Sequence, residues 1–191
     1  MTAAIWKTHM TSRPGLLILC AWILSAFLVP PAGAAPVKYQ VTGLFATERE
    51  QDLREVFAAL PQLKLVSIDF PNAEVLLDFE AQAAFPKAKA NEILQAIDTL
   101  VKKASYHTFG IKPPRTVPLA RLKLIEIPVA GLDCKACCLA AYESIYKLEG
   151  VERATASFRT GLVTAHVDPA KIDRAALEAA LKKKGVQLKS P

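Results

Sequence analysis

The sequence predicts an α+β protein of two tandem βαββαβ domains that follow an N-terminal signal peptide. Three observations lead to this prediction: an internal repeat, an alternation of strand-like and helix-like patterns within each copy, and an apolar run near the first residue. About half of the 191 residues are apolar (52%), which is enough for packed cores and atypical of disordered chains. Each domain has about 70 residues, near the lower size limit for independent folding, so packing of the two against each other is favoured.

The repeat becomes visible when the sequence is shifted against itself by 88 positions, which superposes residues 41–80 on 129–168 without a gap. Identical residues recur along this segment, and they are Val41, Gly43, Leu44, Glu55, Leu60, Phe70 and Val75, matched by Val129, Gly131, Leu132, Glu143, Leu148, Phe158 and Val163. Further on the shift falls to 80, so the first copy carries about eight additional residues near 81–89.

The first half of each copy follows a strand–turn–helix pattern, which is clearest in the second copy. Residues 123–129 alternate as in a strand, and Pro128 suggests the end of that strand or an edge position. Gly131 permits a sharp turn. Apolar side chains at three- and four-residue spacing predict a helix over 136–148, and Gly150 ends it.

The second half of the copy adds two strands, a helix and a short last strand. Residues 152–158 and 162–167 alternate and are joined by a turn at 159–161, which predicts a hairpin. An amphipathic helix over 173–184 and a strand over 186–188 complete the order βαββαβ, the ferredoxin-like pattern.

The predicted organisation has four segments. The run from Ile111 to Pro118 contains too many prolines for a regular element and is predicted to be a semi-rigid linker. The segments are a signal peptide (1–34), a first domain (37–110), a linker (111–120) and a second domain (121–189).

The N-terminal residues are typical of an exported protein. Lys7 and Arg13 precede an unbroken apolar run at 15–29, and a small-x-small cleavage site ends at Ala34. The run is shorter than the ~20 residues of a membrane-spanning helix. We therefore expect cleavage and a periplasmic or secreted protein, with an uncleaved membrane anchor as the alternative.

Charge and motif content argue against several function classes. Removal of residues 1–34 takes away two basic side chains and no acidic ones, which lowers the net charge from +6 to +4. The remaining charge is dispersed without the aromatic–basic patches that bind nucleic acid. No nucleophile–base pair, phosphate loop or carboxylate pair stands out, so neither an enzyme nor a small-molecule substrate is predicted.

Three cysteines within five residues form the candidate site: Cys134, Cys137 and Cys138. This spacing is typical of a local chemical site, since a disulfide scaffold distributes its cysteines along the chain. Cys134 and Cys137 lie at the start of the predicted helix, where unpaired backbone N–H groups and the helix dipole favour thiolate. Lys135 adds a nearby cation. Soft thiolates select thiophilic ions such as Cu(I) or Zn(II) over Mg(II) or Ca(II).

The segment Gly131–Cys137 (GLDCKAC), with Gly150-Val151 and Lys184-Gly185-Val186, resembles the heavy-metal-associated domain. That family includes small copper chaperones, the N-terminal modules of metal-pumping P-type ATPases and the periplasmic mercury-binding protein. The resemblance extends over residues 121–189 and implies a ferredoxin-like, metal-binding domain.

The resemblance also implies the ligands, the cargo and the partner. Cys134 and Cys137 would bind Cu(I), Zn(II) or Hg(II) and pass it to a membrane transporter such as a P-type ATPase, or sequester it. Residues 37–110 resemble a degenerate copy, because Ala46 stands in the place of Cys134 and Arg49 in the place of Cys137.

Two neighbours are possible additional ligands. Asp133 could supply an oxygen, which the resemblance associates with modules for divalent ions, or it could cap the helix. Cys138 points ~100° away from Cys137 on the helix, so a small half-buried hydrophobic role competes with a ligand role.

Two other functions remain open. A Cys-x-x-Cys pair can act as a thiol–disulfide oxidoreductase, although the βαβ context of thioredoxin-like motifs is absent. The chain could also be a non-metal interaction or scaffold module whose cysteines are vestigial.

Overall fold

A computed structural model describes residues 35–189, and within them both halves of the chain adopt the same order of elements. The first copy consists of β1 (Val37–Thr42), α1 (Arg49–Ala58), β2 (Lys64–Asp69), β3 (Glu74–Asp78), α2 (Ala81–Ala84), α3 (Ile93–Ala104) and β4 (Gly110–Lys112). The second copy consists of β5 (Lys123–Ala130), α4 (Lys135–Tyr146), β6 (Val151–Ser157), β7 (Leu162–Val167), α5 (Arg174–Lys183) and β8 (Gln187–Leu188). The predicted signal peptide lies outside the described residues.

The two sheets have the same topology. Their strand orders are β2-β3-β1-β4 and β6-β7-β5-β8, and neighbouring strands are antiparallel in both sheets. This agreement confirms the predicted pair of ferredoxin-like units. The additional residues of the first copy form α2 and a 3₁₀ turn (Ala90–Glu92) between β3 and α3.

The core of the second copy lies between its sheet and its two helices. Alternate residues of β7 are buried, as period-two alternation requires. Residues of α4 and α5 cover this face, and the fully buried ones include Ala141, Ile145, Leu177 and Leu181. Packing of α4 on its inner face therefore determines which side of its first turn faces solvent.

Two local predictions differ from the structure. Pro128 is neither at the end nor at the edge of its strand, since β5 continues to Ala130 and pairs with both β7 and β8. The Pro128 carbonyl accepts a hydrogen bond from the Lys189 N–H (3.0 Å) on the β8 side, and β8 itself ends at Leu188. Pro128 has no N–H to donate, but β8 has already ended opposite this position. The sheet therefore loses little hydrogen bonding.

The linker begins later than predicted. Ile111 and Lys112, which the prediction assigns to the linker, belong to β4 and pair with β1. The prolines from Pro113 onward lack the N–H that a strand needs, which explains why the strand stops there. Within residues 35–189, no helix is both long and apolar enough to cross a bilayer.

The two copies pack against each other through the loop after β1. Phe45 and Ala46 of this loop are buried in the core cluster of the second copy. The Phe45 carbonyl accepts a hydrogen bond from the Ala156 N–H (3.0 Å), and the Tyr142 hydroxyl accepts one from the Gly43 N–H (2.9 Å). The copies thus share buried apolar area and buried hydrogen bonds.

The contact between Tyr142 and Gly43 yields a stability prediction. Tyr142→Phe removes the acceptor and leaves the buried Gly43 N–H without a partner, so we expect a loss of about 1–3 kcal/mol in the free energy of unfolding. Urea denaturation followed by circular dichroism measures it. Tyr146→Phe is the matched control, because the Tyr146 hydroxyl makes no hydrogen bond in the structure. Equal stability of the two variants would contradict the assigned role of Tyr142.

Candidate metal centre

The candidate centre lies in the loop that connects β5 to α4. The loop leaves the strand through Gly131, whose φ of +73° lies in the left-handed region that favours glycine. The corresponding glycine of the first copy, Gly43, has a φ of +84°. The repeat therefore retains glycine at this position because both loops make the same turn.

Cys134 is the N-cap of α4. Its backbone is extended (φ −148°, ψ 162°), and its Sγ accepts a hydrogen bond from the Cys137 N–H at 3.1 Å. A thiolate gains from such a bond and from the dipole at a helix N-terminus, so both favour the ionised form. The interpretation of Asp133 as the capping residue is therefore wrong: the cap is one residue later.

The two sulfurs of Cys134 and Cys137 are joined as a disulfide, with a Cα–Cα distance of 5.2 Å. Cys134 is exposed and Cys137 is partly buried, so the pair lies at the protein surface. A disulfide offers no thiolate to a metal. Two electrons and two protons would have to be added before the pair could act as two thiol ligands.

The two possible additional ligands are placed differently. Asp133 is exposed. Cys138 is only 1% exposed and belongs to the core cluster, and burial raises the pKa of its thiol. It is more deeply buried than the half-buried position predicted for it. Among residues 35–189, no group of three or more His, Cys, Asp or Glu side chains is arranged to hold a metal ion.

The first copy brings acidic side chains to this loop. Lys135, between the two cysteines, lies 3.3 Å from both carboxylate oxygens of Asp52 on α1. Arg159, in the turn between β6 and β7, forms an ion pair with Glu48. Lys135, the cation expected to stabilise the thiolates, therefore also interacts with a carboxylate of the first copy.

The corresponding loop of the first copy has a different chemistry. Arg49, in the place of Cys137, forms an ion pair with Asp52. Its guanidinium lies 4.3 Å from the ring centroid of Phe109 and 5.4 Å from that of Phe45, both within cation–π range. Where the second copy has its thiols, the first copy thus has a packed arginine–aromatic cluster.

Sequence reasoning missed this contact between the loops, although a signal was present. Phe45 occupies the repeat position of Asp133, which is exposed in the second copy. A large apolar residue at a position that is otherwise exposed indicates that something covers it.

Comparison with known proteins gave structural matches only, since no family model and no curated protein matches the chain. The CopZ metallochaperone is 21% identical, with a TM-score of 0.34, over 35% of this chain and 100% of its own. The N-terminal domain of the zinc(II) ATPase ZiaA is 30% identical, with a TM-score of 0.33, over 37% of this chain and 99% of its own. The water-soluble region of the P-type ATPase CopA from Bacillus subtilis is 19% identical, with a TM-score of 0.33, over 81% of this chain and 89% of its own.

The burial of Cys138 predicts its reactivity. After mild reduction of the folded protein, we expect iodoacetamide to modify Cys134 and Cys137 readily and Cys138 only after denaturation, because thiolate formation and access are both suppressed in the core. Peptide mapping by mass spectrometry measures the three rates. Modification of Cys138 in the folded protein as fast as its neighbours would show that it is accessible.

Proposed function

We propose that this chain is an exported heavy-metal-binding protein that captures a soft metal ion between Cys134 and Cys137 and passes it on or sequesters it. The observation that carries the proposal is the convergence of two sulfurs on one accessible point at the start of α4. The motif's resemblance to heavy-metal-associated domains supports the same function.

Capture requires the reduced form of the pair. Each thiol that becomes a ligand releases its proton, so binding one ion to both sulfurs releases up to two protons. The Cys137 N–H and the N-terminal end of α4 favour the negative charge that remains. Because the loop is at the surface, an incoming thiol of another protein can reach the metal and exchange ligands.

The ligand set favours an ion that accepts two sulfurs. Cu(I) and Hg(II) are satisfied by two ligands in a line, whereas Zn(II) takes about four. Asp133 is accessible and remains the candidate third ligand for a divalent ion such as Zn(II). Cys138 would have to leave the core to bind metal, which would expose apolar area and open a cavity.

The proposed partner is a membrane metal transporter, such as a P-type ATPase, reached by ligand exchange. The exposed Cys134 can make the first contact with such a partner, while the partly buried Cys137 releases the ion last. Cys134 is exposed even though Lys135 and Arg159 form ion pairs with the first copy.

A metal titration tests the proposal. The reduced full chain should bind one equivalent of Cu(I) in competition with a chromogenic chelator, and Cys134→Ser/Cys137→Ser should lose that equivalent, because both thiolates are removed. Cys138→Ala is the matched control and should bind as the wild type does, since its thiol is buried away from the loop.

Two results would contradict this. Equal binding by the double variant and the wild type would reject the cysteine pair as the site. Loss of binding in Cys138→Ala with an intact fold would mean that the centre includes a third sulfur.

The disulfide favours one second candidate, a thiol–disulfide oxidoreductase. A cap that stabilises the Cys134 thiolate also makes it a good leaving group in disulfide exchange. Catalysis of insulin reduction well above that of a free dithiol, in a protein that binds no metal, would favour this function over metal capture.

Export is part of the proposal and is supported by the basic, apolar and small-residue pattern of residues 1–34. We expect the protein recovered from its native envelope to have an intact mass that begins at Ala35. An intact N-terminus in a membrane fraction would instead support the uncleaved anchor.

A further inference from the structure

A cavity of about 290 Å³ lies between the two copies, on the side formed by β1, β6 and the proline-rich segment. One wall comes from the first copy and the segment after it, and includes Gln40, Lys112 and Arg115. The opposite wall comes from α4 and β6, and includes Tyr146 and Arg153. Cys134 and Cys137 do not line it, so it is distinct from the candidate metal centre.

Arg153 is the most unusual residue of this cavity. It is only 4% exposed, and among residues 35–189 it has no ion-pair partner. One terminal nitrogen donates to the Phe70 carbonyl (3.0 Å) and the other to the Ala154 carbonyl, while its Nε is buried without any partner. A buried cation with an unused donor is costly unless an acceptor completes it.

A second buried donor without a partner belongs to a residue that also lines the cavity. The hydroxyl of Tyr146, another lining residue, is buried and makes no hydrogen bond in the structure. The Tyr146 ring stacks on the Tyr142 ring at a centroid distance of 4.9 Å. Lys112 Nζ lies 4.6 Å from the Tyr146 ring centroid on the same side.

The charge that lines the cavity is predominantly positive. Lys112, Arg115 and Arg153 line it, and Glu152, which is exposed, is the acidic residue among the lining positions. Arg115 is half-buried and donates to the Asn72 carbonyl (3.0 Å). With the Gln40 amide oxygen turned toward it, Arg115 Nε has a second acceptor at 2.8 Å.

Burial, with a smaller contribution from the neighbouring positive charge, lowers the pKa of two basic groups here. Burial lowers the pKa of Arg153 to about 10, and the proximity of Arg115 acts in the same direction. Burial also lowers the pKa of His166, with Arg153 and Arg115 contributing. Like charges held together in a partly enclosed space favour the entry of an anion.

We propose that this cavity is a binding site for a small oxyanion, a carboxylate or a phosphate, held by Arg153 Nε, the Tyr146 hydroxyl and the cationic groups of Arg115 and Lys112. Guanidinium groups suit such anions because their donors match the spacing of paired oxygens. A volume of about 290 Å³ limits the ligand to a small molecule, at the lower end of ordinary ligand pockets. Since both copies contribute donors, the anion would also join the copies.

Calorimetric titration of the full chain tests this site, with inorganic phosphate and citrate as separate probes and sodium chloride keeping the ionic strength constant. We expect saturable binding of one equivalent of at least one probe, and the difference between the two identifies the preferred oxyanion. Arg115→Gln should weaken binding at least about tenfold, because it removes a charged donor at the rim. Tyr146→Phe should also weaken it, whereas Arg121→Gln, which changes an exposed arginine outside the cavity, should not.

NMR of the wild-type protein tests the role of Arg153 directly, so the test does not require an Arg153 variant that folds. The ¹⁵N resonance of Arg153 Nε should shift with the probe and saturate with the calorimetric binding. Absence of saturable binding of both probes, unchanged affinity in Arg115→Gln, or an unmoved Arg153 Nε resonance would each overturn the proposal. In those cases water would be the partner of the buried donors.

Discussion

The packing of α4 against its sheet is the constraint on which the cysteine site depends. Ala141 and Ile145 anchor the helix in the core, so its first turn can face only one way. Cys134 then begins the helix with its sulfur bonded to the Cys137 N–H. The Cys134 cap fixes the start of α4, and the core contacts of Ala141 and Ile145 fix the rest of the helix. The helix alone therefore brings the two sulfurs together. The same helix carries Tyr142, whose hydroxyl accepts the Gly43 N–H, and so connects the cysteine loop to the first copy.

Duplication has led to two loops with one backbone turn and opposite chemistry. Both use a glycine with positive φ, but the first loop carries Phe45, Ala46 and Arg49 where the second carries Asp133, Cys134 and Cys137. Burial of a phenylalanine side chain is worth about 1.5–3 kcal/mol, so Phe45 contributes to the stability of a domain to which it does not belong in sequence. The first copy therefore has a physical role that does not require ligands of its own: it packs against α4 and β6.

Charged side chains of the second copy contact the first copy in two different environments. At the cysteine loop, the ion pair of Lys135 with Asp52 is solvated, and such pairs contribute about 0–1 kcal/mol. The main effect of this ion pair is on the electrostatic potential at the cysteine loop, because the Asp52 carboxylate offsets the positive charge of Lys135 next to the thiols. In the cavity lined by Tyr142 and Tyr146 of α4, Arg153 is buried and has carbonyl acceptors instead of a carboxylate. The ion pair of Lys135 with Asp52 is stable in contact with solvent. Arg153, by contrast, is buried with an N–H donor that needs an anion or a water molecule as its acceptor.

The sequence alone determined the duplication, the order of elements and the spacing of Cys134 and Cys137. These depend on local patterns: period-two and helical alternation, glycines that permit turns, and two residues between the cysteines. Only the tertiary structure decided that Phe45 enters the other core, that Asp52 pairs with Lys135, that Cys138 is fully buried, and that Arg153, which lines a cavity, has a buried donor without a partner. Each of these depends on how elements pack, and the contacts between the copies join residues about 80 or more positions apart in sequence. Local alternation carries no information about such distant contacts, since it reports which face of an element is buried and not what covers it.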